Sequence, residues 1–251
     1  MTTIPPTSEA SDHGPRAPLA GNIAVILVGA LLTIAIELGL YYGSVSGGAG
    51  KVGAMRGAML AAIGWVILSS PAFAAGGRGW FWTIFRGITP ANASAVLLAW
   101  LWRDTAYLSL PAAAKIYCML LTIALAGACV ANLARQQAGR FTLAVAISVV
   151  MFAAAATPFW VGGLLESAYA RQAVQWTVWV NPVYSISSAM SDINTFTWQQ
   201  ATVLYGITRV GDYAAPPPVE WHTAPLLYGA CAVAAALATI AMALFRRKSV
   251  S

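Results

Sequence analysis

The sequence predicts an all-α fold: a polytopic membrane protein with about six transmembrane helices. Three observations carry this. Of 251 residues, 59% are hydrophobic and only 9% charged, against roughly a quarter charged in a soluble domain. The mean hydropathy is +0.70. The apolar residues gather into runs of about 20, the length that crosses a bilayer as a helix. A soluble domain of this size has too much surface to hide so much apolar side chain from water.

The N-terminal tail, residues 1–21, is polar and carries Pro5, Pro6, Pro15 and Pro18. It lacks a basic region followed by a short apolar stretch and a cleavage site, so it reads as a disordered tail rather than a removable signal. The transmembrane domain follows, over residues 22–251. Span 1 covers about residues 23–42 and ends at Tyr41 and Tyr42, which suit an interface belt. After a Gly/Ser linker, span 2 covers about residues 54–75.

Residues 76–90 are basic and aromatic: Arg78, Trp80, Phe81, Trp82, Phe85 and Arg86. That composition suits a segment lying on the membrane surface. Span 3 has a clean apolar stretch of only residues 91–102. To cross, it must take in Arg103 and Asp104 and end near residue 110; a re-entrant segment is the competing reading. Span 4 covers about residues 113–134, a basic loop runs from 135 to 140, and span 5 covers about residues 141–164. The longest connection, residues 165–223, is Trp-rich and contains Pro216, Pro217 and Pro218. Span 6 covers about residues 225–245 and stops at Arg246, Arg247 and Lys248.

Charge sets the expected orientation. The closing Arg-Arg-Lys belongs in the cytoplasm by the positive-inside rule. With six spans both termini are then cytoplasmic, and residues 165–223 lie outside. That segment holds two basic residues, Arg171 and Arg209, and four acidic ones, Glu166, Asp192, Asp212 and Glu220. Lys51, Arg56, Arg103 and Lys115 sit against the rule. The expected location is a bacterial cytoplasmic membrane.

The net charge of +6 is explained by loops and anionic headgroups. No aromatic-basic platform for nucleic acid is present. Cys118, Cys129 and Cys231 all lie in apolar runs, without CxxC or nearby histidine, so they read as small buried hydrophobes. His13 and His222 are far apart and belong to no ligand cluster, so no metal, haem or other cofactor is expected. No P-loop and no GxSxG occurs. The chain is therefore not expected to be an enzyme. The sequon at Asn92 to Ser94 is a chance match if it faces inward.

Two features stand out. Glu37 lies deep in span 1, and an intramembrane acid is a functional candidate by default; a polar seam between helices, or a wet outer interface, is the plainer reading. The segment around Arg78 could dock a soluble partner or serve only as an interfacial anchor.

Several stretches resemble the membrane-spanning subunits of ABC-2-type exporters. Gly87-Ile88-Thr89-Pro90 is similar to the L-x-x-T-P stretch between that family's second and third spans. Ala131-Asn132-Leu133-Ala134-Arg135, followed by Ala138 and the run to Pro158, resembles its fourth-to-fifth connection. Asn181-Pro182-Val183-Tyr184 resembles its N-P-[FVL]-[YF] motif, and Phe245-Arg246-Arg247-Lys248 its closing helix. The resemblance covers about residues 76–251. It implies a permease that pairs as a homo- or heterodimer in the lipid bilayer and works with a separate cytoplasmic ATPase. The implied ATPase contact is Arg78, Trp80, Phe81, Phe85, Arg86 and Thr89. The family often has an amphipathic helix before span 1; here a Pro-rich tail takes its place. A non-catalytic assembly or anchor subunit of a larger membrane complex is the alternative.

Overall fold

A computed structural model describes residues 19–77, 79–134, 140–156, 172, 176, 179–189 and 220–248. Among them there is no strand. The helices are α1 (Leu19–Ser46), α2 (Gly50–Ala75), α3 (Trp80–Gly87), α4 (Thr89–Asp104), α5 (Leu110–Ala134), α6 (Arg140–Ala155), α7 (Pro182–Ala189) and α8 (Thr223–Lys248). The chain is an all-α polytopic membrane protein. Five helical stretches are long and apolar enough to cross a bilayer: Leu19–Ser46, Gly50–Ala75, Trp80–Asp104, Leu110–Leu133 and Thr223–Phe245. The described part of α6 is apolar but shorter.

The outward face of α1 gives the physical reason. Leu19, Ile23, Leu27, Val28, Leu31, Leu32 and Leu40 are exposed, whereas the buried positions are Asn22, Gly29, Thr33, Glu37 and Tyr41. Leaving one such aliphatic side chain in water costs about 1.5–3 kcal/mol. Seven would cost about 10–20 kcal/mol, as much as the whole stability of an ordinary domain. α8 has the same character, with Leu226, Val233, Leu237, Ile240, Leu244 and Phe245 exposed. Such a surface is stable against lipid tails, and there the polar groups must turn inward.

α2 and α5 form the centre. Ala54, Met55, Ala58, Met59, Ala62, Ile63, Val66 and Ile67 of α2 are buried, as are Ile116, Met119, Leu120, Ile123 and Ala124 of α5. Small residues bring the backbones close: a Cβ on Gly127 would stand 3.0 Å from the Pro71 ring. Pro71 lies within α2.

Helix directions follow from side-chain contacts. Asn22 meets Arg86, Glu37 meets Ser94, and Tyr41 meets Asp104. The numbers rise together, so α1 and α4 run parallel, as first and third crossings do. α5 and α8 start together, with Lys115 Nζ 5.8 Å from the Trp221 ring centre, and then pack closely along one another; they too run parallel. The start of α1 and the end of α8 therefore lie at the same end of the bundle.

The third crossing departs from its expected limits. The apolar pattern places it over about residues 91–110, with residues 76–90 on the surface. Instead the helix that can cross is Trp80–Asp104, and Leu110 already opens α5. Ile88 joins α3 to α4 in helical conformation, φ −85° and ψ −6°. Its N–H donates to Ile84 O at 3.0 Å, and its carbonyl accepts from Asn92 N–H at 3.0 Å. Pro90 falls in the first turn of α4; lacking an N–H it cannot bond Arg86 O, and the α-helical ladder is interrupted at Ile88 between α3 and α4. The re-entrant alternative does not fit a helix whose two ends meet the two ends of α1.

Residues 1–18 of the expected tail lie outside the described residues, and α1 has begun by Leu19. Most of the 165–223 segment and of the 135–140 loop also lie outside them.

Candidate functional site

The buried face of α1 is a polar seam in three tiers. At one end Arg86 Nη1 donates to Gly76 O at 2.8 Å and to Asn22 Oδ1 at 3.4 Å. The guanidinium thereby satisfies a carbonyl just past the last turn of α2, an end that lacks an intrahelical donor. At the other end Asp104 accepts twice. Tyr41 OH donates to its Oδ2 at 2.5 Å, and Lys51 Nζ donates to its Oδ1 at 3.1 Å. Lys51 also reaches the Asp104 carbonyl at 3.1 Å. Asn22 and Tyr41 are separated by 19 residues, about 28 Å of helix, close to the thickness of a hydrocarbon core. The polar ends of the seam thus match the two faces of a bilayer.

Between them the seam is nearly closed to solvent. Thr33 accepts the Trp65 indole N–H at 2.9 Å and donates to Gly29 O at 2.8 Å. Glu37 is fully buried. Its Oε1 lies 2.5 Å from Ser94 Oγ, and Oε2 has no hydrogen-bond partner. Ser94 Oγ is also 3.0 Å from Pro90 O. Of the two plain readings of Glu37, the polar seam is the one observed.

The second feature is α3. Trp80, Phe81 and Phe85 are exposed, with the Phe81 and Phe85 rings stacked at 5.7 Å and Trp82 edge-on to both. The opposite face is pressed onto the bundle. A Cβ on Gly87 would lie 2.4 Å from Ala128 Cβ, and one on Gly77 would lie 2.6 Å from the Thr83 backbone. Thr83 Oγ1 donates to Gly79 O at 2.9 Å. α3 is therefore an aromatic elbow at the bundle end where α1 begins and α8 finishes.

The residues singled out from sequence divide accordingly. Trp80, Phe81 and Phe85 lie on the outer face of α3. Arg86 turns inward to Gly76 and Asn22, and Thr89 is buried, donating to Phe85 O at 3.1 Å. Arg78 lies outside the described residues. Asn181 is buried as well: its Nδ2 donates to Ala155 O at 2.5 Å and its Oδ1 accepts from Val183 N–H at 2.9 Å. The N-P-V-Y stretch thus ties the end of α6 to the start of α7. Sequence reasoning missed Ser94, Thr33, Trp65 and the Lys51–Asp104 pair. Among the described residues no group of three or more His, Cys, Asp or Glu could hold a metal ion.

Comparisons with family models, with curated proteins and with solved structures find no match for this chain.

Proposed function

We propose that this chain is the membrane-spanning permease subunit of an ATP-driven exporter, driven by a separate cytoplasmic ATPase. The observation that carries the reading is the α3 elbow. It presents Trp80, Phe81 and Phe85 outward at the bundle end that holds both helical termini. An aromatic cluster on a short helix, braced from behind by close backbone packing, is suited to transmit a push from a soluble partner. The ordered short motifs from Gly87 to Lys248 support the same reading. On it, the α3 end is cytoplasmic, the membrane is a bacterial cytoplasmic membrane, and the chain pairs with a second membrane subunit. The basic part of the contact falls to Arg78, because Arg86 is engaged within the bundle.

Affinity purification of the full chain from its own membranes, followed by ATPase assay and crosslinking from position 81, tests this. The expected result is a co-purifying ATPase that crosslinks to position 81 and is lost in Phe81→Glu/Phe85→Glu. Recovery of a complex without any ATPase would replace the proposal with the anchor-subunit reading.

A further inference from the structure

We propose that Glu37 is a proton-binding site within the membrane, held neutral by the Ser94–Pro90 pair and exchanging its proton through Tyr41 and Asp104 at the Lys51 end of the bundle. The inference does not rest on the exporter reading.

Ser94 has one hydroxyl hydrogen but stands near two acceptors, Glu37 Oε1 at 2.5 Å and Pro90 O at 3.0 Å. One hydrogen can be aimed fully at only one of them. With Glu37 protonated, its O–H donates to Ser94 Oγ, and the Ser94 hydrogen goes to Pro90 O. Oε2 is then a neutral carbonyl oxygen without a donor. With Glu37 ionised, a fully buried carboxylate would hold at most one hydrogen bond, and Oε2 would remain bare. An unpaired charge in that position is the costlier state.

The surrounding charges do not change this. The helices packed on α1 bring Lys51 and Arg56 from α2, Arg86 from α3, and Arg103 and Asp104 from α4; α1 itself adds Tyr41 and Tyr42. Among the described residues, the hydrogen-bond partner of Glu37 is Ser94. Lys51 is held by Asp104, and Arg86 by Gly76 and Asn22.

The direction of exchange follows from where the protonatable groups stand. Tyr41 is the next protonatable side chain on the same buried face, one turn on, and no hydrogen bond joins it to Glu37. Its hydroxyl already donates to Asp104, whose side chain is part-exposed at the bundle end. In the other direction Thr33 is closed by its bonds to Gly29 and Trp65. The next polar side chain on that face is Asn22, about 22 Å from Glu37. The site thus opens toward one side of the membrane.

Infrared spectroscopy of the full chain in lipid nanodiscs tests both halves. At neutral pH, with or without Na⁺, the wild type is expected to show a carboxylic-acid C=O band that Glu37→Gln removes and Ser94→Ala shifts. Gln donates to Ser94 as the neutral acid does, so Glu37→Gln should melt near the wild-type temperature. Deuteration of the band should slow several-fold in Tyr41→Phe. Absence of a Glu37-dependent band, or a band seen only when Na⁺ is removed, would overturn the proton site, the latter in favour of a cation site. An unchanged deuteration rate in Tyr41→Phe would overturn the route. If Glu37→Gln fails to fold, an acid band in wild type unmoved by Ser94→Ala also overturns the site.

Discussion

Asp104 holds two side chains whose needs differ. Tyr41 is fully buried, so losing its acceptor leaves a hydroxyl stranded away from water, at about 1–3 kcal/mol. Lys51 is half-exposed, and an exposed ion pair contributes about 0–1 kcal/mol. Asp104→Ala should therefore destabilise the protein by more than Lys51→Ala does, read from thermal unfolding in detergent. Thr33→Val makes a parallel case. It removes the acceptor of the Trp65 indole and should cost about 1–3 kcal/mol, with a shift in the fluorescence of that tryptophan. At this scale the sequence was partly readable. Glu37 announced itself as an acid in an apolar run. Ser94 did not, because it is 57 residues away and a serine in a span is unremarkable chemistry. Arg86 reads from its aromatic neighbours as part of a basic patch; its guanidinium also completes the end of α2 at Gly76, which the sequence does not reveal.

The helices were readable as crossings wherever the apolar run was uninterrupted, as in α1, α2, α5 and α8. The third was shifted because a hydropathy pattern treats Arg86 as a boundary. Once its charge is bonded to Gly76 and Asn22, the helix can continue through it. Glycine placement then decides how closely the elbow packs. Gly87→Ala would drive a Cβ to 2.4 Å from Ala128 Cβ, an overpacking expected to cost about 1–3 kcal/mol. Gly39→Ala meets nothing within 4 Å and should be neutral or slightly stabilising, since alanine is the better helix former. Thermal unfolding of the two variants side by side checks this. The outward face of α1 gives a second comparison. Leu31→Arg puts a charge against lipid, where insertion scales assign about 2.5–3.5 kcal/mol. It should reduce membrane insertion of the full chain, measured by carbonate extraction, whereas Leu31→Phe should not.

For the whole molecule, the polar interior of α1, the apolar exteriors of α1 and α8, and the 28 Å separation of the seam's ends all describe one object: a helical bundle built for a bilayer. Composition alone was enough to expect it. Direction was harder to read, because Lys51, Arg103 and Lys115 weigh against the basic cluster at Arg246 to Lys248 in any charge count. The contacts explain part of the conflict: Lys51 is neutralised by Asp104 at their shared end, which needs both the α1–α2 turn and the end of α4 on one side. Accessibility of single cysteines to a membrane-impermeant thiol reagent, in intact cells and after lysis, tests that arrangement most directly. The three native cysteines would first be replaced. Cysteines at Gly48 and Ala106 should label from the same side of the membrane, and a cysteine after Lys248 only from the opposite side. Labelling of positions 48 and 106 from opposite sides would contradict a crossing by Trp80–Asp104, and with it the parallel packing of α1 and α4.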